Sequence, residues 1–247
     1  MENVPAADGL LAVLDRGGPP GPPPPAAPGS VMAVLVDLDG TLANSEGLGD
    51  MTDRAVQERL GSVLTATQQE EMLGCSPART VEILLASAEE PMDPADAEEL
   101  LITTMLQLVA QHGVPLRPGA RELLDAIKKY GLPHALVTSS GLRVADAVLT
   151  STRMTFPVVV SGDDVAAAKP GPEPYRQAAA LLGIPPARCV AIEDSRAGVA
   201  SARAAKIGQV IAVPSEGVTI SPAPGLTIVR SLCDLQVGPG GVTVRSC

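Results

Sequence analysis

The sequence predicts an α/β fold in which a doubly wound parallel sheet carries an inserted domain of helices. From Val31 onward, short apolar runs rich in β-branched residues alternate with helix-like segments. This order is typical of a parallel sheet with helices on both faces. Residues 46–113 interrupt the alternation with helical patterns alone. A chain of 247 residues is long enough for one α/β domain and a smaller inserted one.

Five segments have the composition of buried strands. The first, "VMAVLVD", begins at Val31 and is continuously apolar up to its final aspartate. A run of this kind indicates a strand that is covered on both faces. The same pattern returns in "HALVT" (134–138), "PVVVS" (157–161), "CVAIED" (189–194) and "QVIAV" (209–213).

Helical segments connect these strands. They are "PGARELLDAIKKYG" (118–131), "GLRVADAVLTS" (141–151), "PEPYRQAAALLG" (172–183) and "SRAGVASARAAKIG" (195–208). Pro118 lies where a helix begins, and Gly131 and Gly183 lie where helices end, which are preferred positions for these two residue types. The repeated order of strand and helix predicts a doubly wound, Rossmann-like core.

The chain is therefore divided into four parts. We expect residues 31–45 and 114–235 to form the α/β catalytic core, and residues 46–113 to form a helical cap over its site. Residues 1–30 contain the Pro/Gly-rich stretch "GGPPGPPPPAAPG", which predicts a disordered N-terminal extension. Residues 236–247 are assigned to a C-terminal tail.

The composition limits the possible partners. The formal net charge of −10 argues against a nucleic-acid or anionic-membrane partner. No apolar run approaches the roughly 18 residues of a membrane span, and the acidic first residues make a poor signal peptide. The four cysteines have neither a CxxC pair nor a zinc-binding spacing, as is typical of free thiols in a reducing cytoplasm. We expect a cytoplasmic protein with a small-molecule partner, and its oligomeric state is open, with a monomer slightly favoured.

Polar side chains follow the predicted strands at the point where each strand ends. Ligands of open α/β sheets bind at this carboxyl edge. The residues predicted there are Asp37 with Asp39, Thr138 with Ser139, Ser161 with Asp163, and Glu193 with Asp194, and Lys169 lies in the loop after the third strand. Asp37 and Asp39 repel each other because they lie in one short loop. A metal ion, or a proton that takes part in the reaction, should offset that repulsion.

This set of side chains is suited to phosphoryl transfer. Asp37 could attack phosphorus to give an aspartyl phosphate, while Asp39 protonates the leaving oxygen and later activates water. Lys169 would offset negative charge, and Thr138, just before a helix, could bind phosphate oxygens together with nearby backbone N–H groups. The oxygen ligands that Mg²⁺ requires are available from Asp37, Glu193 and Asp194.

The segments "DLDGTLANSE", "LVTSS", "AAAKPGPEPY" and "AIEDSRAGVASARAA" follow one another along the chain. They resemble the four motifs of the haloacid dehalogenase superfamily, more narrowly of its phosphatase and phosphomutase branch with a helical cap. The resemblance implies that Asp37 is the nucleophile and Asp39 the general acid/base, and its second motif and its lysine fall on Thr138 and Lys169. It also implies a metal site made by Asp37, the backbone carbonyl of Asp39, and Asp194, with Glu193 as a ligand or a neighbour.

Several positions distinguish between members of that family. Asp39 favours phosphoryl transfer, because the dehalogenases that name the family do not keep the second acid. Asn44 replaces an aspartate that is frequent in the branch, and Gly49 stands where the compared sugar-phosphate mutases have a histidine. In the cap loop "LGCSPART", Cys75 replaces a frequent arginine, which makes Arg79 a candidate substitute contact. The predicted substrate-binding set is Thr138, Ser139, Lys169 and Arg79.

The leading interpretation is a Mg²⁺-dependent phosphatase that hydrolyses a small phosphorylated metabolite through an aspartyl phosphate. The alternative enzyme is a sugar-phosphate mutase similar to β-phosphoglucomutase, which Gly49 disfavours. A third class is a non-enzymatic phospho-acceptor signalling domain, which also places acids, hydroxyls and a lysine at strand ends. Such a domain is usually much shorter, has no helical cap and needs no acid at the position of Asp39.

Overall fold

The structure is a computed structural model that describes residues 33–72, 77–89, 91–215 and 217–245. The predicted N-terminal extension over 1–30 and the cap-loop residue Cys75 lie outside these ranges. Among the residues that the structure describes, no helix combines the length and the apolar character that crossing a membrane requires.

The core is a six-stranded sheet in which all neighbouring strands are parallel. In chain order the strands are β1 (Ala33–Val36), β2 (His134–Val137), β3 (Val158–Val160), β4 (Cys189–Glu193), β5 (Gln209–Ala212) and β6 (Leu226–Ile228). Their order across the sheet is β3-β2-β1-β4-β5-β6. The chain thus begins inside the sheet and winds outward first to one side and then to the other, which confirms the predicted doubly wound topology.

Helices cover both faces of the sheet and form the cap. Those of the cap are α1 (Glu46–Leu60), α2 (Ala66–Met72), α3 (Pro77–Ala86) and α4 (Pro94–His112), and those of the core are α5 (Ala120–Lys129), α6 (Leu142–Thr152), α7 (Glu173–Leu181) and α8 (Arg196–Ala204). Val34 and Val36 of β1 pack in the apolar cluster that contains α5 and α6, whereas Ala33 and Leu35 pack in the cluster that contains α7 and α8. Because β1 is covered on both faces, its sequence is continuously apolar.

The cap helices have an apolar interior of their own. Val56 and Leu60 of α1 pack with Val81 and Leu84 of α3 and with Leu101 of α4. These residues are buried within the cap and do not belong to the clusters of the sheet. Burial of apolar area within this cluster contributes to the stability of the cap.

The cap is joined to the core by its two connections, by an ion pair and by apolar packing, since Leu48 of α1 and Val109 of α4 are buried in the core cluster. The connections run side by side, since the N–H of Asn44 donates to the carbonyl of Pro115 at 2.8 Å. Farther along, Arg143 at the start of α6 donates two hydrogen bonds to the carboxylate of Glu99 in α4, at 2.5 and 3.0 Å. The ion pair ties the cap to the helix that follows the β2 loop.

The C-terminal segment corrects the sequence prediction. The residues assigned to a tail over 236–247 include, in their described part, most of an antiparallel hairpin of β7 (Leu235–Gly238) and β8 (Gly241–Val244). Leu235, Val237 and Val242 are buried in the core cluster. Their alternate spacing is that of half-buried strands, but each strand is short and the turn between them is rich in Gly and Pro. The sixth strand, β6, was also missed because its three residues, LTI, do not form a continuous apolar run.

Candidate active site

The ends of neighbouring strands bring the predicted side chains to one edge of the sheet. Because β2 and β4 flank β1, Asp37 after β1 lies between the β2 loop and the end of β4. Lys169 reaches the same point from the loop before α7. The structure therefore brings together six of the predicted residues, namely Asp37, Asp39, Thr138, Lys169, Glu193 and Asp194.

Lys169 links two of the acids. Its Nζ donates hydrogen bonds to Oδ1 of Asp37 at 2.7 Å, to Oε1 of Glu193 at 2.6 Å and to the carbonyl oxygen of Val137 at 2.9 Å. An ammonium group has three N–H donors, so each of them has an acceptor. Burial alone would lower the pKa of Lys169, but the charges of Asp37 and Glu193 and the hydrogen bonds to them more than offset this effect and raise the pKa. The lysine therefore stays protonated in the site.

Three hydroxyl groups hold the carboxylate of Asp39. Ser45 Oγ donates to Oδ1 at 2.7 Å, while Thr138 Oγ1 and Ser140 Oγ donate to Oδ2 at 3.1 and 2.7 Å. Ser45 immediately precedes α1, whereas the other two belong to the loop after β2, so Asp39 is held from both cap and core. Within that loop it is Ser140 that reaches the carboxylate, and the predicted substrate residue Ser139 is exposed beside it.

A buried acidic cluster is formed by Asp37, Glu193 and Asp194. One oxygen from each lies within 4.8 Å of the others. Burial raises the pKa of Asp37 well above its usual value, and the charges of Glu193 and Asp194 raise it further against the lowering effect of Lys169. Burial is also the main cause that raises the pKa of Asp194 to about 6. Oδ2 of Asp37 is buried and has no hydrogen-bond partner among the described residues. An unpartnered oxygen within a set of carboxylates fits a divalent cation, which would satisfy that oxygen and offset the repulsion.

The glycine that follows Asp39 is required by the close approach of Asp194. Gly40 has a φ of 78°, a left-handed conformation that glycine adopts readily. A Cβ at this position would lie 2.1 Å from Oδ2 of Asp194 and 2.6 Å from Oγ of Ser215. Asp194 accepts a hydrogen bond from Ser215 on Oδ2 and one from Thr41 Oγ1 on Oδ1 at 3.4 Å. Ser215 was not predicted, since a single serine after β5 forms no recognisable sequence pattern.

Glu193 has a further partner that was not predicted from the sequence. Tyr175 of α7 is fully buried, and its hydroxyl donates to Oε1 of Glu193 at 2.6 Å. Burial, followed by the negative charge of Glu193, raises the pKa of Tyr175 well above its usual value, so the hydroxyl stays protonated. Oε2 of Glu193 accepts a longer hydrogen bond from Ser195 Oγ, at 3.3 Å. The one available signal was the scarcity of tyrosine, of which the chain has two residues.

Two residues predicted at this edge of the sheet have structural partners in its loops. Ser161 Oγ donates to Asp164 at 2.7 Å. Asp163 accepts a hydrogen bond from the N–H of Leu142 at 2.7 Å, at the start of α6, where helices leave N–H groups without internal partners. Both side chains thus shape the loops that surround the acidic cluster.

Arg79 lies in the cap, on α3. Its guanidinium donates to Glu82 at 2.8 Å and to Glu71 at 3.0 Å, and 51% of its side chain is exposed. These partners are acids of the cap and not members of the acidic cluster. A contact between Arg79 and a substrate stays a prediction.

Buried like charges and a buried lysine at the ligand-binding edge of an α/β sheet are typical of enzyme active sites, where such groups are kept for chemistry although their burial costs stability. The particular family follows from a comparison with family models. The model of the haloacid dehalogenase-like hydrolases matches residues 31–206. The chain belongs to this family, and the prediction of a hydrolase is confirmed.

Individual relatives agree with this assignment. The chain is 33% identical over 200 residues to Protein CbbY of Rhodobacter capsulatus, a match that covers 74% of this chain and 86% of that one. It is 29% identical over 189 residues to hexitol phosphatase B of Escherichia coli (strain K12), covering 74% and 84%. Among solved structures, a mutant of CbbY from Rhodobacter sphaeroides in complex with xylulose-(1,5)bisphosphate matches with a TM-score of 0.73 and 27% identity, covering 83% and 96%.

Proposed function

We propose that the protein is a Mg²⁺-dependent phosphatase that releases inorganic phosphate from a small phosphorylated metabolite through an aspartyl phosphate on Asp37. The proposal rests on the different surroundings of the two acids of the first motif, Asp37 and Asp39. Asp37 is bound to a protonated lysine and keeps one buried oxygen to which no described residue donates a hydrogen bond, which suits a nucleophile. Asp39, two residues later, is held by hydroxyls from the cap entry and the core, which suits a group that transfers a proton.

In the first step a carboxylate oxygen of Asp37 forms a bond to phosphorus while the bond between phosphorus and the ester oxygen breaks. The leaving oxygen needs a proton, which the carboxyl group of Asp39 supplies. Lys169 holds Oδ1 of Asp37 and offsets the negative charge that accumulates when the carboxylate approaches the phosphate. Thr138 and Ser139 are the proposed phosphate contacts, because they precede α6, where backbone N–H groups are available.

In the second step water attacks the phosphorus of the aspartyl phosphate. Asp39, now a carboxylate, accepts the proton of the attacking water. The bond between phosphorus and the Asp37 oxygen breaks, so inorganic phosphate leaves and both acids return to their starting states. One residue therefore serves as acid in the first step and as base in the second.

Mg²⁺ is the proposed metal, and we assign its binding to the side chains of Asp37 and Asp194 and to the backbone carbonyl of Asp39, with Glu193 completing the acidic set. Such a cluster offers oxygen donors alone, which is the preference of a hard cation. When bound, the ion neutralises part of the charge on the carboxylates and on the phosphate.

A sugar phosphate is the substrate class that the relatives support. One relative is named as a hexitol phosphatase, and CbbY has been crystallised with xylulose bisphosphate. We assign the chemistry to the core over 31–45 and 114–235 and recognition of the remainder of the substrate to the cap over 46–113. Arg79 is the candidate contact in the cap.

The proposal is tested by measuring phosphate release from a panel of sugar phosphates, phosphoglycolate, glycerol phosphate and nucleotides with Mg²⁺ present. We expect turnover of one or more sugar phosphates by the wild-type protein and none by Asp37→Asn. An isomerised sugar phosphate without released phosphate would instead identify a mutase. A stable phosphoprotein that turns over no ester would identify a phospho-acceptor domain.

A further inference from the structure

The hydroxyl of Tyr175 has no role in the proposed mechanism, although it is hydrogen-bonded to Glu193 of the acidic cluster. The chain has two tyrosines, one phenylalanine and no tryptophan, and Tyr175 packs with Ala178 and Ala179 of its own helix in the apolar cluster beneath the sheet. A phenylalanine would fill the same space. The hydroxyl therefore adds a polar group to an apolar interior, which is costly unless the group has a partner. Its partner is the carboxylate of Glu193.

The position of Glu193 is defined by donors on both oxygens. Its relative exposure is 0%, so the protein supplies its hydrogen bonds. Oε1 accepts from Tyr175 and from Lys169, each at 2.6 Å, and Oε2 accepts from Ser195 at 3.3 Å. On the other side, a Cβ at Gly198 would lie 1.9 Å from Oε2, so α8 packs directly against the carboxylate. A buried group in such a network has few alternative orientations.

The carboxylate of Glu193 in turn helps to position Lys169 through a hydrogen bond. The three donors of this lysine are directed to Glu193, to Asp37 and to the carbonyl of Val137. Its Nζ also lies 5.4 Å from the centroid of the Tyr175 ring, within the range of a cation–π contact. Tyr175 thus contacts the lysine directly through its ring and indirectly through its hydroxyl.

We infer that Tyr175 is a positioning residue whose hydroxyl orients Glu193, so that Glu193 holds Lys169 and Lys169 holds Asp37 for attack on phosphorus. This inference rests on the proposed function, because it concerns how the nucleophile is held during phosphoryl transfer. It predicts an effect on the rate of that transfer and little effect on substrate binding, since Tyr175 and Glu193 are buried beneath the site.

The substitution Tyr175→Phe removes the hydroxyl and keeps the ring, and Tyr130→Phe is the matched control. Tyr130 is 42% exposed at the end of α5 and belongs to none of the clusters of the site. Loss of a hydrogen bond to a charged group should lower kcat by about ten- to a hundredfold in Tyr175→Phe, with KM changed by less than about twofold. Rates are expressed per active site, titrated with beryllofluoride, so that misfolded protein does not contribute.

A double-mutant cycle tests the route of the effect. If the hydroxyl acts through Glu193, Tyr175→Phe should cause no further loss in a Glu193→Ala background. An equal loss in both backgrounds would mean that the hydroxyl acts by another route and would overturn the inference.

A spectroscopic measurement uses the near-absence of aromatic residues and does not depend on activity. In Tyr130→Phe, Tyr175 is the remaining tyrosine, so the tyrosine absorption reports on it alone. Beryllofluoride with Mg²⁺, which mimics the aspartyl phosphate, should alter the near-ultraviolet difference spectrum of this variant, because modification of Asp37 changes the charge around Lys169, whose Nζ lies 5.4 Å from the centroid of the Tyr175 ring. An unchanged spectrum at saturation would overturn the inference even if Tyr175→Phe failed to fold.

The outcomes separate this inference from the proposed function. If wild-type protein hydrolyses no ester, or if Asp37→Asn retains activity, the proposed function fails. If wild-type protein is active, Asp37→Asn is inactive and Tyr175→Phe has the same kcat as Tyr130→Phe, the proposed function stands and the role of Tyr175 fails.

Discussion

The substitution Asp39→Asn should separate the two chemical steps without disturbing the fold. The side chain keeps its size, and its contacts can be retained. The introduced amide oxygen can accept from Thr138 and Ser140, which now donate at 3.1 and 2.7 Å. The amide NH₂ can donate to Ser45 Oγ, because a hydroxyl accepts as well as donates. We therefore expect a small change in Tm.

The substitution Asp39→Asn should slow the steps that require proton transfer. Removal of a general acid/base lowers the rate by about 10²–10⁴-fold, which corresponds to roughly 3–5 kcal/mol of barrier. With p-nitrophenyl phosphate the leaving group needs little protonation, so formation of the aspartyl phosphate should be affected less than its hydrolysis. Water attack still requires a base, and phospho-Asp37 should therefore accumulate in Asp39→Asn.

A single-turnover quench with labelled substrate, followed by peptide mapping, measures this accumulation. We expect label on the peptide that contains Asp37 in Asp39→Asn. Asp37→Asn is the control and should carry no label, because an amide cannot form the acyl phosphate. Label on any other residue, or continued turnover by Asp37→Asn, would refute the assignment of the two acids.

Three further predictions concern the metal, the cap and the pH dependence of stability. Activity should require Mg²⁺ and be inhibited by Ca²⁺, whose longer bonds and higher coordination number would misplace Asp37; full phosphate release in excess chelator would contradict this. The cap should close on its linkers over 44–49 and 113–118, so bound trifluoromagnesate should slow hydrogen exchange in both; exchange that stays the same would argue against closure. Burial and then the charge of Asp50 raise the pKa of Asp53 in α1 to about 6. The folded protein then binds this proton more tightly than the unfolded chain does, so the free energy of unfolding should fall as the pH rises from about 4 to above 6. Asp53→Asn should accordingly raise Tm at neutral pH and leave it unchanged near pH 4, and an equal gain at both would disprove the assignment.

Residues whose role follows from local pattern were predictable from the sequence. The continuous apolar run of β1 reflects burial on both faces, and the acids at strand ends follow from the geometry of parallel strands. The contacts of Ser45, Ser215 and Tyr175 were not predictable, because one hydroxyl has no periodicity and its partner is chosen by tertiary packing. Thr41 and Asp194, for example, lie 153 positions apart and meet only after the sheet has formed.

The sequence pattern also has a limit where apolar residues do not form a continuous run. β6 (LTI) includes a threonine, and the strands of the C-terminal hairpin (LQVG and GVTV) include glycines and polar residues, whereas the equally short β3 is a run of three valines. The apolar side chains of the hairpin nevertheless belong to the core, as the burial of Leu235 and Val242 shows. The candidate site was less affected by this limit, since its acids occur in compact motifs next to long apolar runs.

The side-by-side connections of the cap have a consequence for how such a protein diversifies. Because Asn44 is hydrogen-bonded to Pro115, the chain leaves the sheet and returns to it at a single narrow junction. A helical module from another protein could be grafted at that junction without altering the order of the strands or the acidic cluster. The cap has an apolar cluster of its own, so the changes that such an exchange requires would be confined to contacts between cap and core, such as the burial of Leu48 and Val109 in the core cluster. Selection can thus replace the part that we assign to recognition while the sheet, and the chemistry proposed for its edge, is inherited unchanged.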